Sequence, residues 1–184
     1  MKRQNKLQNL FSHPHNKTAL LIIDVQQALF EKRRPIYQAD ALLKNINYLV
    51  KKAHQAQAVV VYVQHSGKGD LARGEPGWRL HPAMQPVTGD LLIHKQQGNA
   101  FEETKLVEEL NARQVGKVVI TGLVTHGCVK ATCQGALSLS YRLTLVGDAH
   151  SSYSEKAGDL IAELNQKMQD QGASVLPAEL VRFE

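Results

Sequence analysis

The stretch KVVITGLVTHGCVKATCQGAL, residues 117–137, changes its period in the middle. Residues 117–124 are almost continuously apolar and rich in β-branched side chains, as in a strand buried on both faces. From residue 128 onward, Val129, Thr132, Cys133, Ala136 and Leu137 recur at helical spacing and form one stripe. A strand that runs almost directly into a helix is half of a βα unit. Cys128 stands at the junction.

Outward from this stretch the same alternation repeats in both directions. Strands are predicted at 18–25 (TALLIIDV), 59–64 (VVVYVQ), 90–95 (DLLIHK) and 142–149 (RLTLVGDA), with a short closing strand in ASVLP, 173–177. Helices are predicted over 39–58, 101–115, 128–140 and 155–171. The first carries Leu42, Leu43, Ile46, Leu49, Val50 and Ala53 at helical spacing, the last Leu160, Ile161, Leu164 and Met168. Residues 66–89 hold Gly and Pro and read as a long loop. Strands alternating with helices imply an α/β fold with a parallel sheet covered on both faces. All strand C-termini then share one edge, where open α/β sheets place their sites. There is no internal repeat and no linker, so residues 18–184 read as a single domain.

The chain has 184 residues, of which 43% are hydrophobic and 21% charged, an ordinary balance for a globular protein. No apolar run approaches the roughly 20 residues that span a bilayer. The N-terminus lacks the apolar core of a secretory signal, so neither a membrane partner nor export is expected, and the expected location is cytoplasmic. The net charge of +5 is concentrated: Lys2, Arg3, Lys6 and Lys17 fall in residues 1–17, which contain no acid. That segment reads as a basic, mobile arm. Beyond it the charges nearly balance, and no basic cluster interleaved with aromatics marks a nucleic-acid groove. The two cysteines, Cys128 and Cys133, form no Cys-x-x-Cys motif and offer neither a disulfide framework nor a zinc site.

Three reactive side chains fall at or just beyond strand ends on the shared edge: Asp24, Lys95 and Cys128. Each alone has a structural reading, as a cap or loop contact, a solvated lysine or a small buried hydrophobe. One geometric rule places all three, which favours a site. At the start of a helix Cys128 is expected to be an activated thiolate, with a pKa below the roughly 8.5 of a free thiol. Cys133, on the sheet-facing stripe, is expected to be core. Asp24 can serve as general base for the thiol, with Lys95 holding both charges. His126, two residues before Cys128, is the competing base; otherwise it is a loop histidine facing the pocket.

The ordered set LLIIDVQQALF, HKQQGNAF and VVITGLVTHGCVKAT, followed by GDAHSS, resembles the isochorismatase-like cysteine hydrolases, relatives of which include nicotinamidases and N-carbamoylsarcosine amidases. The resemblance spans about Thr18 to Pro177. It implies a three-layer, six-stranded parallel sheet with helices on both faces, and a triad at Asp24, Lys95 and Cys128. It also implies a non-proline cis peptide between Leu123 and Val124, with an oxyanion hole formed by the N–H groups of Val124 and Cys128. Trp78 matches a position that packs on the substrate, Phe30 forms another pocket wall, and a homo-oligomer is expected. The implied activity is cofactor-independent hydrolysis of a small amide or related C–N bond through a thioester. An isochorismatase-type hydrolase and a non-catalytic binding member of the same fold are the alternatives. Metal-binding nicotinamidases carry Asp-x-His at the end of the second strand. Here Val63 takes the Asp position, and His65 by itself does not make a metal site, so no metal is expected.

Overall fold

The computed structural model describes residues 16–183. Its strands are β1 (Lys17–Ile23), β2 (Val59–His65), β3 (Leu91–Lys95), β4 (Val115–Leu123), β5 (Arg142–Ser151) and β6 (Ser174–Leu176). They form one sheet in the order β3-β2-β1-β4-β5-β6, parallel at every pairing. The helices are α1 (Gln27–Phe30), α2 (Ala39–Gln55), α3 (Leu106–Ala112), α4 (Lys130–Ser138) and α5 (Ala157–Asp170).

Two cores flank the sheet, and alternation along the central strands feeds both. In β1, Ala19, Leu21 and Ile23 enter one core while Leu20 and Ile22 enter the other. In β2, Val61 and Val63 likewise oppose Val60 and Tyr62. Successive side chains point to opposite faces of a strand, so an unbroken apolar run is what a doubly covered strand requires. The first core takes Leu106 and Leu110 of α3, Cys133 and Ala136 of α4, and Leu164 and Met168 of α5. The second takes Leu42, Ile46, Leu49, Val50 and Ala53 of α2. The result is the three-layer α/β arrangement expected from the sequence.

The helix expected over 101–115 is shorter, Leu106–Ala112. Thr104 explains its late start: its hydroxyl donates to the Ala100 carbonyl at 2.7 Å and accepts from Leu106 N–H at 3.2 Å. Phe101, ahead of it, leaves the helical path to stack on Tyr141, ring centroids 5.5 Å apart. The helix expected from 128 begins at Lys130, after a wide turn over 125–129. Its backbone departs from helical geometry at Gly127. The expected basic arm lies outside the described residues for positions 1–15, and Lys17 already opens β1. Among the described residues no helix is long and apolar enough to cross a membrane.

Candidate active site

Four adjacent strands, β3, β2, β1 and β4, end on one edge and carry Lys95, His65, Asp24 and Cys128 at or just past their last residues. Asp24 follows Ile23 with φ at 50°, and its N–H bonds the Val63 carbonyl at 2.9 Å, so β1 turns sharply as soon as it ends. His65 and Lys95 are register partners on β2 and β3.

Lys95 is the hub. Its Nζ lies 2.8 Å from Asp24 Oδ2 and 3.1 Å from Cys128 Sγ. It also lies 3.2 Å from His65 Nδ1 and donates to the Gln97 carbonyl at 3.1 Å. An ammonium has three N–H groups and no acceptor, so four acceptors share three hydrogens. It follows that His65 Nδ1 accepts and the proton of the neutral ring sits on Nε2. Lys95 and Asp24 are both 2% exposed, so this pair is withheld from water. Asp24 Oδ1 is buried and has no hydrogen-bond partner among the described residues. The three sequence-predicted catalytic residues therefore meet around one nitrogen.

Burial raises the Asp24 carboxyl above its ordinary value, with the Lys95 cation pulling the other way. Burial also pushes the Cys128 thiol up to about 11; the Asp24 carboxylate adds to the rise and Lys95 opposes it. This corrects the expectation of a resting thiolate. Cys128 sits in the wide turn, half-buried beside a carboxylate, and desolvation outweighs whatever a helix start would offer. Cys133, fully buried, is pushed to about 12 by burial alone and is core as expected.

The Leu123–Val124 peptide is cis. Beyond it, the Val124 carbonyl accepts from Gly127 and Val129 N–H groups at 2.9 and 3.3 Å, which closes the turn carrying Cys128. Thr125 in that turn bonds His150 Nδ1 of β5 at 2.9 Å, and His150 Nε2 meets Asn165 Oδ1 of α5 at 2.9 Å. The Asn165 amide nitrogen is committed to the Gly147 carbonyl at 3.1 Å. Its oxygen must then accept from His150 Nε2–H, and His150 Nδ1 accepts from the Thr125 hydroxyl. Burial lowers the His150 pKa, in keeping with a neutral ring.

Around the triad, Trp78 is half-buried, donates Nε1–H to Ser66 Oγ at 3.0 Å and lies 5.1 Å from the His94 ring. Phe30 packs on His81 at 4.3 Å between centroids. His126 is exposed, and its Nδ1 meets Ser152 Oγ at 3.3 Å. The histidine that contacts the Lys95 hub is instead His65, which sequence reasoning weighed only as a metal ligand. Its position at the end of β2 was the available signal, since the same rule selected Asp24 and Lys95. Gln26 was also missed. Fully buried, it accepts from His65 N–H at 2.8 Å and donates to the carbonyls of His65 and Trp78 at 3.0 and 2.7 Å, tying β2 to the loop that follows. A cavity of about 250 Å³ opens beside Lys95, lined also by Ser66, Arg73, His94, Gln96 and Glu103.

A family model described as the isochorismatase domain matches residues 18–179. A streptothricin hydrolase of Streptomyces noursei is 32% identical over 147 residues, 79% of this chain and 53% of the relative. The chain thus spans about half the length of that relative. A maleamate amidohydrolase of Pseudomonas putida is 27% identical, covering 83% of this chain and 86% of its own. Among solved structures, a cysteine hydrolase from Pseudomonas syringae pv. phaseolicola superposes with a TM-score of 0.82 at 22% identity, covering 89% of each chain.

Proposed function

This chain belongs to the isochorismatase-domain family, and on that premise we propose that it is a cysteine hydrolase cleaving a small amide or related C–N bond. The observation that carries the reading is the placement of Lys95 Nζ, 2.8 Å from the Asp24 carboxylate and 3.1 Å from Cys128 Sγ. The names of the amide-cleaving and hydrolytic relatives support the class of bond.

Asp24 takes the thiol proton as Cys128 Sγ attacks the carbonyl carbon. The Lys95 ammonium keeps one negative charge compensated while the proton moves from sulfur to carboxylate. Backbone N–H groups of Val124 and Cys128 receive the developing oxyanion. The tetrahedral adduct collapses, the C–N bond breaks, and Asp24 gives its proton to the departing nitrogen, leaving a thioester. Asp24 then deprotonates a water that attacks the thioester, and Cys128 leaves with its proton restored.

The test uses a panel of small amides, carbamoyl compounds and ureides, read by ammonia or amine release. Turnover in the wild type, its loss by at least 10³-fold in Asp24→Asn and near-wild-type rates in His126→Gln are expected. A dead His126 variant beside an active Asp24 variant would transfer the base role to His126. No turnover on any member, with no thioester adduct on Cys128 by mass spectrometry, would favour a binding protein.

A further inference from the structure

β5 leaves its register with β4 just before the site. β4 advances two residues from Ile120 to Gly122 while β5 advances five, from Leu145 to His150. The Thr121 hydroxyl stitches this bulge by donating to the Ala149 carbonyl. Bulges re-aim side chains, and this one returns His150 and Ser151 to pairing opposite Gly122 and Leu123, beside the cis peptide. From there His150 bonds Thr125 of the turn on one side and Asn165 of α5 on the other, both at 2.9 Å.

The turn that carries Cys128 departs from helical geometry at Gly127, so it does not inherit the rigidity of α4. Thr125 and His150 are both buried, and Asn165 is half-buried. Apolar side chains would fill these positions without the cost of desolvating polar groups, but they would fix no direction. The hydrogen bonds do fix one. Asn165 takes the His150 Nε2–H, which leaves Nδ1 as an acceptor, and the Thr125 hydroxyl points at it.

We propose that Thr125, His150 and Asn165 form a buried positioning chain for the hydrolysis proposed above. The chain holds the turn so that Cys128 Sγ stays 3.1 Å from Lys95 Nζ and the Val124 and Cys128 N–H groups face one point. Its members touch neither substrate nor reacting atoms; they act through the turn. The catalytic meaning of the chain rests on the hydrolase reading. Its hold on the sulfur does not, because alkylation reports the thiol without turnover. Burial is the largest cause of the raised Cys128 thiol pKa. A turn released from β5 admits water to the sulfur, so the thiol should label more readily while catalysing less well. A general loss of stability produces neither change in a variant that is still folded.

Four variants of the full-length protein make the test. Thr125→Val keeps the shape and removes the hydroxyl, Thr125→Ser keeps the hydroxyl, and Asn165→Ala removes the acceptor for His150 Nε2–H. Leu49→Ala opens a cavity in the second core, away from the turn, and supplies a loss of stability alone. Iodoacetamide peptide mapping across pH gives the Cys128 inflection, and kinetics on the substrate found by the amide, carbamoyl and ureide panel give kcat and KM. In Thr125→Val the inflection should fall from about 11 by roughly one unit or more, toward the free-thiol value of about 8.5. Labelling at a fixed lower pH should then quicken about tenfold. kcat should fall about tenfold or more with KM within about twofold, since a misaimed nucleophile is felt in the transition state. Asn165→Ala should shift both in the same directions, Thr125→Ser should stay near wild type, and Leu49→Ala should lower the urea midpoint alone. An unchanged or raised inflection in folded Thr125→Val, kcat retained there, or Thr125→Ser no better than Thr125→Val would each overturn the proposal. Should circular dichroism show Thr125→Val unfolded, Asn165→Ala is held to the same criteria. A wild type without turnover whose variants still show the inflection shifts overturns the hydrolase reading and supports the hold on Cys128.

Discussion

At Cys128, burial and a neighbouring carboxylate both favour the neutral thiol, while the Lys95 cation opposes them. Alkylation follows the thiolate, so its rate at Cys128 should climb with pH toward an inflection near about 11. Lys95 lowers both Asp24 and Cys128. In Lys95→Met the inflection should therefore move higher, and labelling at a fixed, mildly alkaline pH should slow by roughly tenfold per pKa unit gained. Cys133, fully buried, should remain unlabelled in the folded protein throughout. Stopped-flow or quenched alkylation with peptide mapping measures all three. An inflection below about 8.5, the free-thiol value, would reinstate the helix-start thiolate. The different placement of the two cysteines was legible at this scale, because a strand-end position and a helical stripe separate Cys128 from Cys133. Its protonation state was not, because it depends on which charges the fold brings within a few ångströms.

Between elements, the site is held by side chains that contribute no chemistry of their own. Gln26 follows β1 and satisfies the backbone of His65 at both N–H and carbonyl while also binding the Trp78 carbonyl. Gln26→Ala leaves the two His65 groups without these partners. Each buried polar group left unpaired costs about 1–3 kcal/mol, so a loss of roughly 2–6 kcal/mol in unfolding free energy is expected, read from urea denaturation. A change below about 0.5 kcal/mol, the scale of ordinary surface substitutions, would deny the strut. Gly122 makes the close approach before the cis peptide: it has φ at 117°, and a Cβ there would meet the Ile23 carbonyl oxygen at 2.2 Å. Such contacts explain why element ends were harder to read than element types. The starts of α3 and α4 are set by Thr104 and by the turn through Gly127, and hydrophobic period reports neither.

Across the whole molecule, burial depresses four imidazoles, His65, His81, His94 and His150, below their ordinary value. In the unfolded chain they protonate as pH falls through about 6.5, while in the folded chain they resist. The unfolded state then binds more protons, so their contribution to stability is intact above about pH 6.5 and is lost between there and the lower folded values. Asp24 runs the opposite way: its raised folded value makes the folded state the better proton binder from the unfolded value of 3.8 upward to that raised value. A comparison of variants separates the two. His150→Gln should lose less stability than wild type between pH 7.5 and 5.5, by urea midpoint, because the Thr125–His150–Asn165 chain no longer resists protonation. Equal slopes in the two proteins would remove His150 from this account.

Much of the architecture is written in local order. Apolar runs feeding two cores, helical stripes and the strand-end positions of Asp24, Lys95 and Cys128 are properties of neighbouring residues, and short-range sterics and side-chain period are enough to express them. Parallel pairing then puts every strand end on one edge without further information. Tertiary structure alone decided that β2 lies between β1 and β3, which brings His65 to the Lys95 nitrogen and leaves His126 on Ser152. It also decided how deeply the cluster is buried. Electrostatics and hydrogen bonding act over a few ångströms in space, whereas Asp24, His65, Lys95 and Cys128 are separated by tens of residues along the chain. Their meeting around the Lys95 nitrogen therefore came into being only with the fold.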